Sequence, residues 1–322
     1  MTEATPSGLY PPIEPYNRGS IRVSGIHTIS FEEMGNRSGR PVVFLHGGPG
    51  SGISPKHRRF FDPEAFRVVL VNQRGAGDSH PLGELSENTT RHLIQDLEVV
   101  RKHLNIDRWL IFGGSWGSLL ALCYAVEHRE RVAGLILRGV FLGRREEIAW
   151  LHGRHGAATV FPEEWRRYRQ ASGALTDDDI VASYHRLLIG EDQTAAQKAA
   201  PAWLRWQESM FTFSKENFTS NDSAAKEEDT LLISKARIEC HYTYHRFFLD
   251  YLPDVLEAVH VLEGVPCKIV QGRYDLTCPP RAAWDLAQKL TDAELLLVND
   301  GAHSPYEPGM ATGLIRALGS FK

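Results

Sequence analysis

The chain has 322 residues, of which 42% are hydrophobic and 24% are charged, and its formal net charge at pH 7 is −4. This length can bury a full core, in one large domain or in a domain with a sizeable insertion, and the composition is ordinary for a globular protein. The negative charge argues against nucleic acid or an anionic membrane as the main partner, and no apolar run approaches the ~18 residues of a membrane-spanning helix.

The amino-terminal segment and the cysteines bear on the cellular compartment. Residues 1–19 are polar and rich in proline, and they lack the apolar centre of a secretory signal. The four cysteines lie far apart without C-x-x-C spacing. We therefore expect no disulfide and a cytoplasmic location.

The first part of the chain alternates short apolar runs with amphipathic segments. Residues 20–33 alternate in polarity and predict a pair of strands. Residues 41–45 and 66–71 are nearly continuous apolar runs, which are typical of strands that are buried on both faces. Residues 93–104 carry apolar side chains at helical spacing. This alternation predicts a mostly parallel sheet that is covered by helices on both faces.

The next predicted strand leads into a motif with chemical meaning. Residues 109–112 predict a buried strand and residues 119–126 an apolar helix, and Gly113, Ser115 and Gly117 between them form Gly-x-Ser-x-Gly. A strand that turns directly into a helix places its central residue in a strained backbone conformation, and small neighbours relieve the crowding. We therefore interpret Ser115 as a nucleophile whose hydroxyl is exposed on the turn.

The alternation of strands and helices stops after a further predicted strand at residues 132–137. Residues 143–262 show helical patterns and no convincing strand, and the alternation resumes with strands at residues 267–271 and 294–298. A helical block inserted between strands, over the carboxyl ends of the sheet, is a cap domain. The predicted division is a first part of the core at 1–142, an all-helical cap at 143–262 and a second part of the core at 263–322.

A serine nucleophile needs a base, commonly a histidine that a carboxylate orients. Asp275 and His303 each follow one of the two later strands, and acid before histidine is the order that accompanies a Gly-x-Ser-x-Gly nucleophile. We therefore predict a catalytic triad of Ser115, Asp275 and His303. Asp300 is the alternative acid, but it lies only three residues before the histidine, where it is badly placed to orient the ring.

The tetrahedral intermediate of acyl transfer needs backbone N–H donors where its oxyanion develops. The N–H of Trp116, directly after the nucleophile, is one predicted donor. The second donor is expected from the glycine-rich loop after residues 41–45, with Gly48 as the first choice and Gly47 as the second. This loop is not a phosphate-binding loop, because no Gly-Lys-Ser/Thr follows it.

The 14 histidines raise the question of a metal site. His241 and His245 lie four residues apart on a predicted helix and could share a face. However, no acidic residue has the placement that H-E-x-x-H requires, and the neighbouring tyrosines favour a packing role. We therefore expect no metal and no other cofactor.

Seven short motifs match those of a known enzyme family. They are His46-Gly47-Gly48-Pro49-Gly50, Asp62-Pro63, Gln73-Arg74-Gly75, Asn88-Thr89-Thr90, Gly113-Gly114-Ser115-Trp116-Gly117-Ser118, Ala236-Arg237-Ile238-Glu239 and Gly272-Arg273-Tyr274-Asp275. On these motifs the chain resembles the proline iminopeptidases (prolyl aminopeptidases) of the α/β-hydrolase superfamily, from about residue 10 to residue 321. The resemblance implies an α/β-hydrolase fold with a helical cap. It also implies release of an N-terminal proline from small peptides without a cofactor.

The resemblance further implies two cap glutamates that hold the free imino end of the substrate. Glu239 matches the second of them, but Gln207 stands where the Trp-x-x-Trp-Glu pattern has the first. Glu208 cannot simply replace it, because consecutive helical residues point about 100° apart. Thr243 replaces the aromatic residue of the Glu-x-His-Tyr-Phe motif. We expect Glu239 and Gln207 to bind the substrate.

These departures leave an alternative substrate class open. The alternative is an α/β-hydrolase of the same ancestry that acts on another small-molecule amide or ester, for instance in specialised metabolism. A non-catalytic binding protein is disfavoured, because the predicted triad and both oxyanion loops are intact. Turnover of a proline amide compared with simple aryl esters would separate the two enzymatic hypotheses.

Overall fold

The computed structural model describes residues 8–212, 225–252 and 254–322. Eight strands of the described residues form one sheet in the order β1-β2-β4-β3-β5-β6-β7-β8. Their bounds are β1 Asn17–Arg22, β2 Thr28–Gly35, β3 Arg40–Leu45, β4 Phe66–Val71, β5 Trp109–Ser115, β6 Val132–Val140, β7 Cys267–Gly272 and β8 Ala293–Val298. Strand β2 pairs antiparallel with β1 and with β4, and the other pairs are parallel. The mostly parallel sheet is as predicted.

The helices cover both faces of this sheet and one of its edges. Within the described residues they are α1 Thr90–His103, α2 Trp116–Glu127, α3 Arg145–His152, α4 Pro162–Ser172, α5 Ile180–Ile189, α6 Gln193–Glu208, α7 Ala225–Tyr244, α8 Val255–Ala258, α9 Pro280–Lys289 and α10 Pro308–Gly319. None of these described helices combines the length and the hydrophobicity that crossing a membrane requires.

Two hydrophobic cores explain the continuous apolar runs. Along β3, Val43 and Leu45 face a core that α1, α2 and α9 complete. Val42 and Phe44 alternate with them and face the opposite core, which α10 completes. Because successive side chains of a strand point to opposite faces, a strand between two helical layers has to be apolar at every position.

Strand β5 is longer than the sequence predicted. It runs through the two glycines to Ser115 itself, and α2 begins at the next residue. The physical reason is that parallel pairing with β6 continues, with Gly114 opposite Arg138 and Ser115 opposite Val140. Glycines have no side chain to contribute to an apolar pattern, so the pattern ended three residues early.

A separate aromatic core lies in the helices between β6 and β7. Helices α4, α5, α6 and α7 pack against one another around Trp165, Tyr168, Tyr184, Trp203 and Trp206. The described residues in the range 143–262 contain no strand. Helices α3 to α7 are hereafter called the cap helices.

The end of the predicted cap behaves differently from the cap helices. Helix α8 and the residues up to Leu262 pack with α2 in a core of the sheet, through Val255, Val259 and Leu262. The cap bounds at residues 143 and 262 therefore stay a prediction.

The parallel strands deliver the predicted site residues to one edge of the sheet. Gly48 follows β3, Ser115 ends β5, Asp275 follows β7 and His303 follows β8. The carboxyl ends of parallel strands meet at the same edge, where α/β proteins bind their ligands. The cap helices cover this edge, since Glu239 of α7 lines the same cavity as Ser115.

Candidate active site

Ser115 occupies a strained turn between β5 and α2. Its φ of +57° and ψ of −127° lie outside the regions that residues with a side chain ordinarily adopt. A Cβ at Gly113 would collide with the carbonyl of Gly117, and a Cβ at Gly117 would collide with the carbonyl of Leu45. The small neighbours that the motif predicted are therefore sterically required. The turn presents the serine hydroxyl at the edge of the sheet.

The predicted acid and base form a buried pair. His303 Nδ1 and Asp275 Oδ2 are 2.7 Å apart, and the residues are 2% and 1% exposed. The other carboxylate oxygen accepts the backbone N–H groups of Thr277 at 3.0 Å and Cys278 at 2.7 Å. Asp275 is thus held as an acceptor, which orients the imidazole ring. The alternative acid, Asp300, lies exposed on the surface.

Two residues that sequence reasoning missed hold His303 in place. The Arg138 guanidinium donates a hydrogen bond to the backbone carbonyl of His303 at 2.8 Å. The ring of Phe211, just beyond α6, contacts the imidazole edge-on at 5.1 Å. Burial lowers the pKa of His303, against the opposing effect of Asp275. A lowered pKa keeps the ring neutral at pH 7, as a general base must be.

A hydrogen-bond network joins the loops that follow β3 and β4 to the first residue of α2. The Gln73 side chain donates to the carbonyl of His46 at 3.0 Å and accepts the indole N–H of Trp116 at 2.8 Å. His46 Nε2 accepts the backbone N–H of Gln73 at 3.1 Å, so its Nδ1 carries the proton and donates to the Gly47 carbonyl at 2.9 Å. Burial lowers the pKa of His46 to about 4, which keeps it neutral. The network places the loop of Gly48 beside the turn of Trp116.

A cavity of about 210 Å³ separates this edge from the cap helices, and an inner cavity of about 30 Å³ lies beside it. Both are lined by Gly48, Ser115, Gln207, Glu239 and Thr277. Because they share these residues, the two cavities are compartments of one site. The inner compartment is completed by Trp116, Phe141, Leu151, His152, Thr243, Phe247 and Cys278. Its lining combines aromatic side chains (Trp116, Phe141 and Phe247) with polar ones, among them the carboxylate of Glu239 and the amide of Gln207.

Glu239 brings a buried carboxylate into this site. It is 4% exposed, and its Oε2 accepts the indole N–H of Trp203 at 3.2 Å. Its pKa is raised to about 7, chiefly by burial and to a smaller extent by the negative charge of Glu208. Lys235 and the hydrogen bonds from Trp203 and Gln207 act in the opposite direction. A carboxylate that burial makes hard to ionise is poised to gain from a cationic ligand.

The cap residues that depart from the family pattern lie at the site. Gln207 lines both compartments and hydrogen-bonds Glu239. Glu208 lines the outer compartment but not the inner one, because the helical turn directs it elsewhere. The Thr243 hydroxyl donates to the backbone carbonyl of Glu239 at 2.8 Å and lines the inner compartment. Their substrate contacts stay a prediction.

Aromatic surface in the inner compartment comes from a residue that sequence reasoning did not select. Phe247 lines it and stacks on Trp116, with ring centroids 5.6 Å apart. Sequence offered one signal, the adjacent pair of phenylalanines shortly after the Thr243 position. His241 and His245 line neither compartment.

Comparison with known proteins agrees with this geometry. A family model described as alpha/beta hydrolase fold matches residues 40–309. The chain is 44% identical over 313 residues to a probable proline iminopeptidase of Leptolyngbya boryana, which covers 97% of this chain and 96% of that protein. It is 44% identical over 310 residues to a proline iminopeptidase of Arabidopsis thaliana, covering 96% of this chain and 80% of that protein.

Solved structures share the fold. An alpha/beta fold family hydrolase from Bacillus anthracis superposes with a TM-score of 0.63 at 19% identity, over 95% of this chain and 100% of that one. The predicted α/β-hydrolase fold is therefore confirmed. The resemblance that the motifs indicated is confirmed by the near full-length identity to the relatives named above. The chain belongs to the proline iminopeptidase family of α/β-hydrolases.

Proposed function

We propose that this chain is a serine hydrolase that removes an N-terminal proline from small peptides or amides. The observation that carries the proposal is the buried carboxylate of Glu239, which faces the same aromatic-lined compartment as Ser115. A small apolar ring with an adjacent positive charge complements such a compartment. The similarity to proline iminopeptidases of Leptolyngbya boryana and Arabidopsis thaliana supports the same substrate.

Substrate binding follows from the compartment's chemistry. The pyrrolidine ring packs among Trp116, Phe141 and Phe247, and the charged imino group pairs with Glu239. The Coulomb attraction between one carboxylate and such a cation about 4 Å away stabilises the bound substrate by up to about 4 kcal/mol at an effective dielectric near 20. Gln207 can accept a hydrogen bond from the imino group but cannot neutralise it. This arrangement places the proline carbonyl carbon next to Ser115.

Acyl transfer then proceeds through a covalent intermediate. The Ser115 oxygen attacks the carbonyl carbon as His303 takes the hydroxyl proton, and the carbonyl electron pair moves onto oxygen. The N–H groups of Trp116 and Gly48 donate to this oxyanion, and Asp275 stabilises the imidazolium. Collapse breaks the C–N bond, and His303 gives its proton to the leaving amine.

Deacylation repeats these steps with water as the nucleophile. Water attacks the prolyl ester while His303 accepts a water proton. The bond to the Ser115 oxygen then breaks, the serine regains its proton, and free proline leaves as a carboxylate. No metal or cofactor enters these steps. A cytoplasmic location, which the sequence favours, is part of the same proposal.

The alternative function uses the same acyl transfer on a neutral amide or ester. Gln207 and Thr243 favour it, because each departs from the family pocket. The relatives' names weigh against it. A substrate that lacks the imino charge separates the two functions.

The test compares proline naphthylamide, N-acetyl-proline naphthylamide and a simple aryl ester. We expect kcat/KM to be highest for proline naphthylamide and to fall at least about 100-fold on acetylation, because acetylation removes the charge and adds bulk beside Glu239. Equal turnover of the acetylated amide, or a clear preference for the ester, would overturn the proposed substrate while leaving a serine hydrolase.

A further inference from the structure

Three histidines meet on the cap, away from the catalytic site. His241 and His245 are separated by one turn at the end of α7, and the backbone N–H of His245 still donates to the carbonyl of His241 at 3.1 Å. His185 of α5 faces this pair. Each residue offers one ring nitrogen, and the three nitrogens lie within 4.8 Å of one another. The third ligand that the sequence lacked is therefore supplied by a different helix.

Two buried ring nitrogens of this cluster make no hydrogen bond within the described residues. His185 Nε2 and His241 Nδ1 are buried, and neither has a hydrogen-bond partner in the part of the chain that the structure describes. Buried polar atoms are nearly always paired, so two unpaired nitrogens within one histidine cluster need a physical reason. Tyr244 stacks on the His185 ring at 4.0 Å, which holds that ring in position. A bound cation would satisfy both nitrogens.

The protonation state suits metal ligation. Burial lowers the pKa of all three histidines, and the pKa of His241 falls to about 4. Neutral imidazoles present free electron pairs at pH 7, so a metal ion does not have to displace protons. Of the surrounding charges, Asp250 near His245 favours a cation, whereas Arg237 near His241 opposes one.

We propose that His185, His241 and His245 bind a divalent transition-metal ion, with Zn²⁺ as the best fit. Zinc accepts three imidazoles at ~2.0–2.1 Å, which places the nitrogens ~3.3 Å apart in a tetrahedron with water at the fourth position. Binding therefore requires side-chain rotations that bring the nitrogens closer than their present spacing of up to 4.8 Å. Magnesium and calcium do not fit, because they prefer oxygen ligands.

This metal site is separate from catalysis. His241 lies two residues after Glu239, so the two side chains project about 200° apart around α7. None of the three histidines lines either compartment of the active site. The ion would join α5 to the end of α7, next to Tyr242, whose ring contacts Trp116 at 5.0 Å. Its effect is on the stability of the cap helices, and the inference does not depend on the proposed substrate.

The test uses the full-length chain without an affinity tag, stripped with EDTA. Calorimetric titration with ZnCl₂ should show one ion per chain with a Kd on the order of 1 μM or tighter. At a hundredfold excess over Kd, Tm should rise by about 3–5 °C. Co²⁺ should give the visible absorption of a tetrahedral site. His185→Ala and His245→Gln should each weaken binding at least about tenfold, whereas the exposed cap residue His155, changed to Ala, should leave binding unchanged.

Three results would overturn the proposal. The first is the absence of stoichiometric binding to the unmodified chain. The second is binding of normal affinity by His185→Ala and His245→Gln proteins whose circular dichroism is native. The third is loss of binding in His303→Ala while His185→Ala binds normally, which would place the ion at the catalytic histidine. If either cap variant fails to fold, the other variant together with the Co²⁺ spectrum decides.

Discussion

At the scale of single residues, the inner compartment is lined by one carboxylate, that of Glu239, where the family pattern has two. Glu239 is buried and hydrogen-bonded by Trp203 and Gln207, and under the proposed function it is the carboxylate of the inner compartment that pairs with the imino cation. The neutral amide of Gln207 keeps the shape of the pocket but lowers its negative charge. The proposed function therefore predicts that specificity for a charged N-terminus depends on Glu239.

Restoring that charge should improve turnover of a proline amide. We expect Gln207→Glu to raise kcat/KM for proline naphthylamide by roughly tenfold, since each 1.4 kcal/mol is a factor of ten. The control is Gln170→Glu, an equal charge change on an exposed position of α4. A fall in activity would indicate a substrate that is neutral at this position, because an unpaired buried carboxylate is costly. No change would show that Gln207 does not face the imino end.

The ionisation of Glu239 predicts a pH dependence. Its pKa is raised to about 7, so the carboxyl is protonated and uncharged below that pH. For a cationic proline amide, kcat/KM should rise as the pH increases through about 7. The pKa of His303 is lowered, so the loss of its proton adds a second rise of kcat/KM, at more acidic pH. Glu239→Gln should abolish the rise of kcat/KM near pH 7 and keep the rise at more acidic pH.

Neutral substrates supply the control for this profile. For an aryl ester without an imino group, kcat/KM should show only the rise at more acidic pH, since the binding of this ester gains nothing from the Glu239 charge. A proline-amide profile that stays flat between pH 6 and 8 would contradict the assigned role of Glu239.

The order of the predicted strands was sufficient to predict that Ser115, Asp275 and His303 lie at one edge of the sheet, because each residue follows a predicted strand. It was not sufficient for Arg138 or Phe211. Their contacts with His303 join segments that are distant in the chain, and neither residue belongs to a motif with a fixed spacing. Such contacts depend on how whole elements pack.

At the scale of elements, Gln73 connects the loops after β3 and β4 to the start of α2. Its amide satisfies the His46 carbonyl and the Trp116 indole at the same time. The two predicted oxyanion donors belong to different segments, since Gly48 lies in the loop after β3 and Trp116 is the first residue of α2. Their relative position therefore depends on the hydrogen bonds of Gln73. Gln73 is thus a positioning residue, since it lines neither compartment.

Removing the connection should slow the chemical step more than it weakens binding. We expect Gln73→Leu to lower kcat about 10–100-fold with little change in KM, because the oxyanion donors lose their alignment. Leaving buried polar groups unpaired should also cost about 1–3 kcal/mol of unfolding free energy. The control is Gln170→Leu on the surface. A normal kcat with a reduced Tm would restrict Gln73 to a structural role.

Strands were predicted well wherever side chains carried the pattern. The run at residues 66–71 matches β4, because both faces of that strand are buried. Strand β5 was predicted short, since its last residues are glycines that pair with β6 without adding hydrophobicity. The network around Gln73 could not be predicted, because it requires the register of three strands at once.

At the scale of the whole molecule, the proposed function assigns the chemistry to residues of the sheet and the selectivity to residues of the cap helices. Ser115, Asp275 and His303 come from the edge of the sheet, whereas Gln207 and Glu239 come from α6 and α7. The absence of strand patterns in residues 143–262 predicted the helical block. The sequence could not show that α5 brings His185 to α7, since helix packing is not encoded in spacing along one helix.

A chelator should lower the thermal stability of the cap helices and leave turnover at the active site unchanged. We expect EDTA-stripped enzyme to keep its kcat/KM for proline naphthylamide, because the three histidines lie outside both compartments of the active site. Its Tm should be lower than that of the Zn²⁺-loaded enzyme. Loss of turnover in EDTA, restored by Zn²⁺, would place a metal in the chemistry and contradict the mechanism.

The central claim is that Ser115 is the nucleophile that releases N-terminal proline. The most direct test is kcat/KM for proline naphthylamide, measured for the unmodified enzyme and for Ser115→Ala. We expect ready turnover by the first and a fall of at least about 10⁴-fold in the second, with an unchanged Tm, because the substitution removes the attacking hydroxyl. The neighbouring Cys278 thiol does not replace it, since burial raises its pKa and keeps it protonated. Substantial activity of a well-folded Ser115→Ala enzyme would contradict the claim.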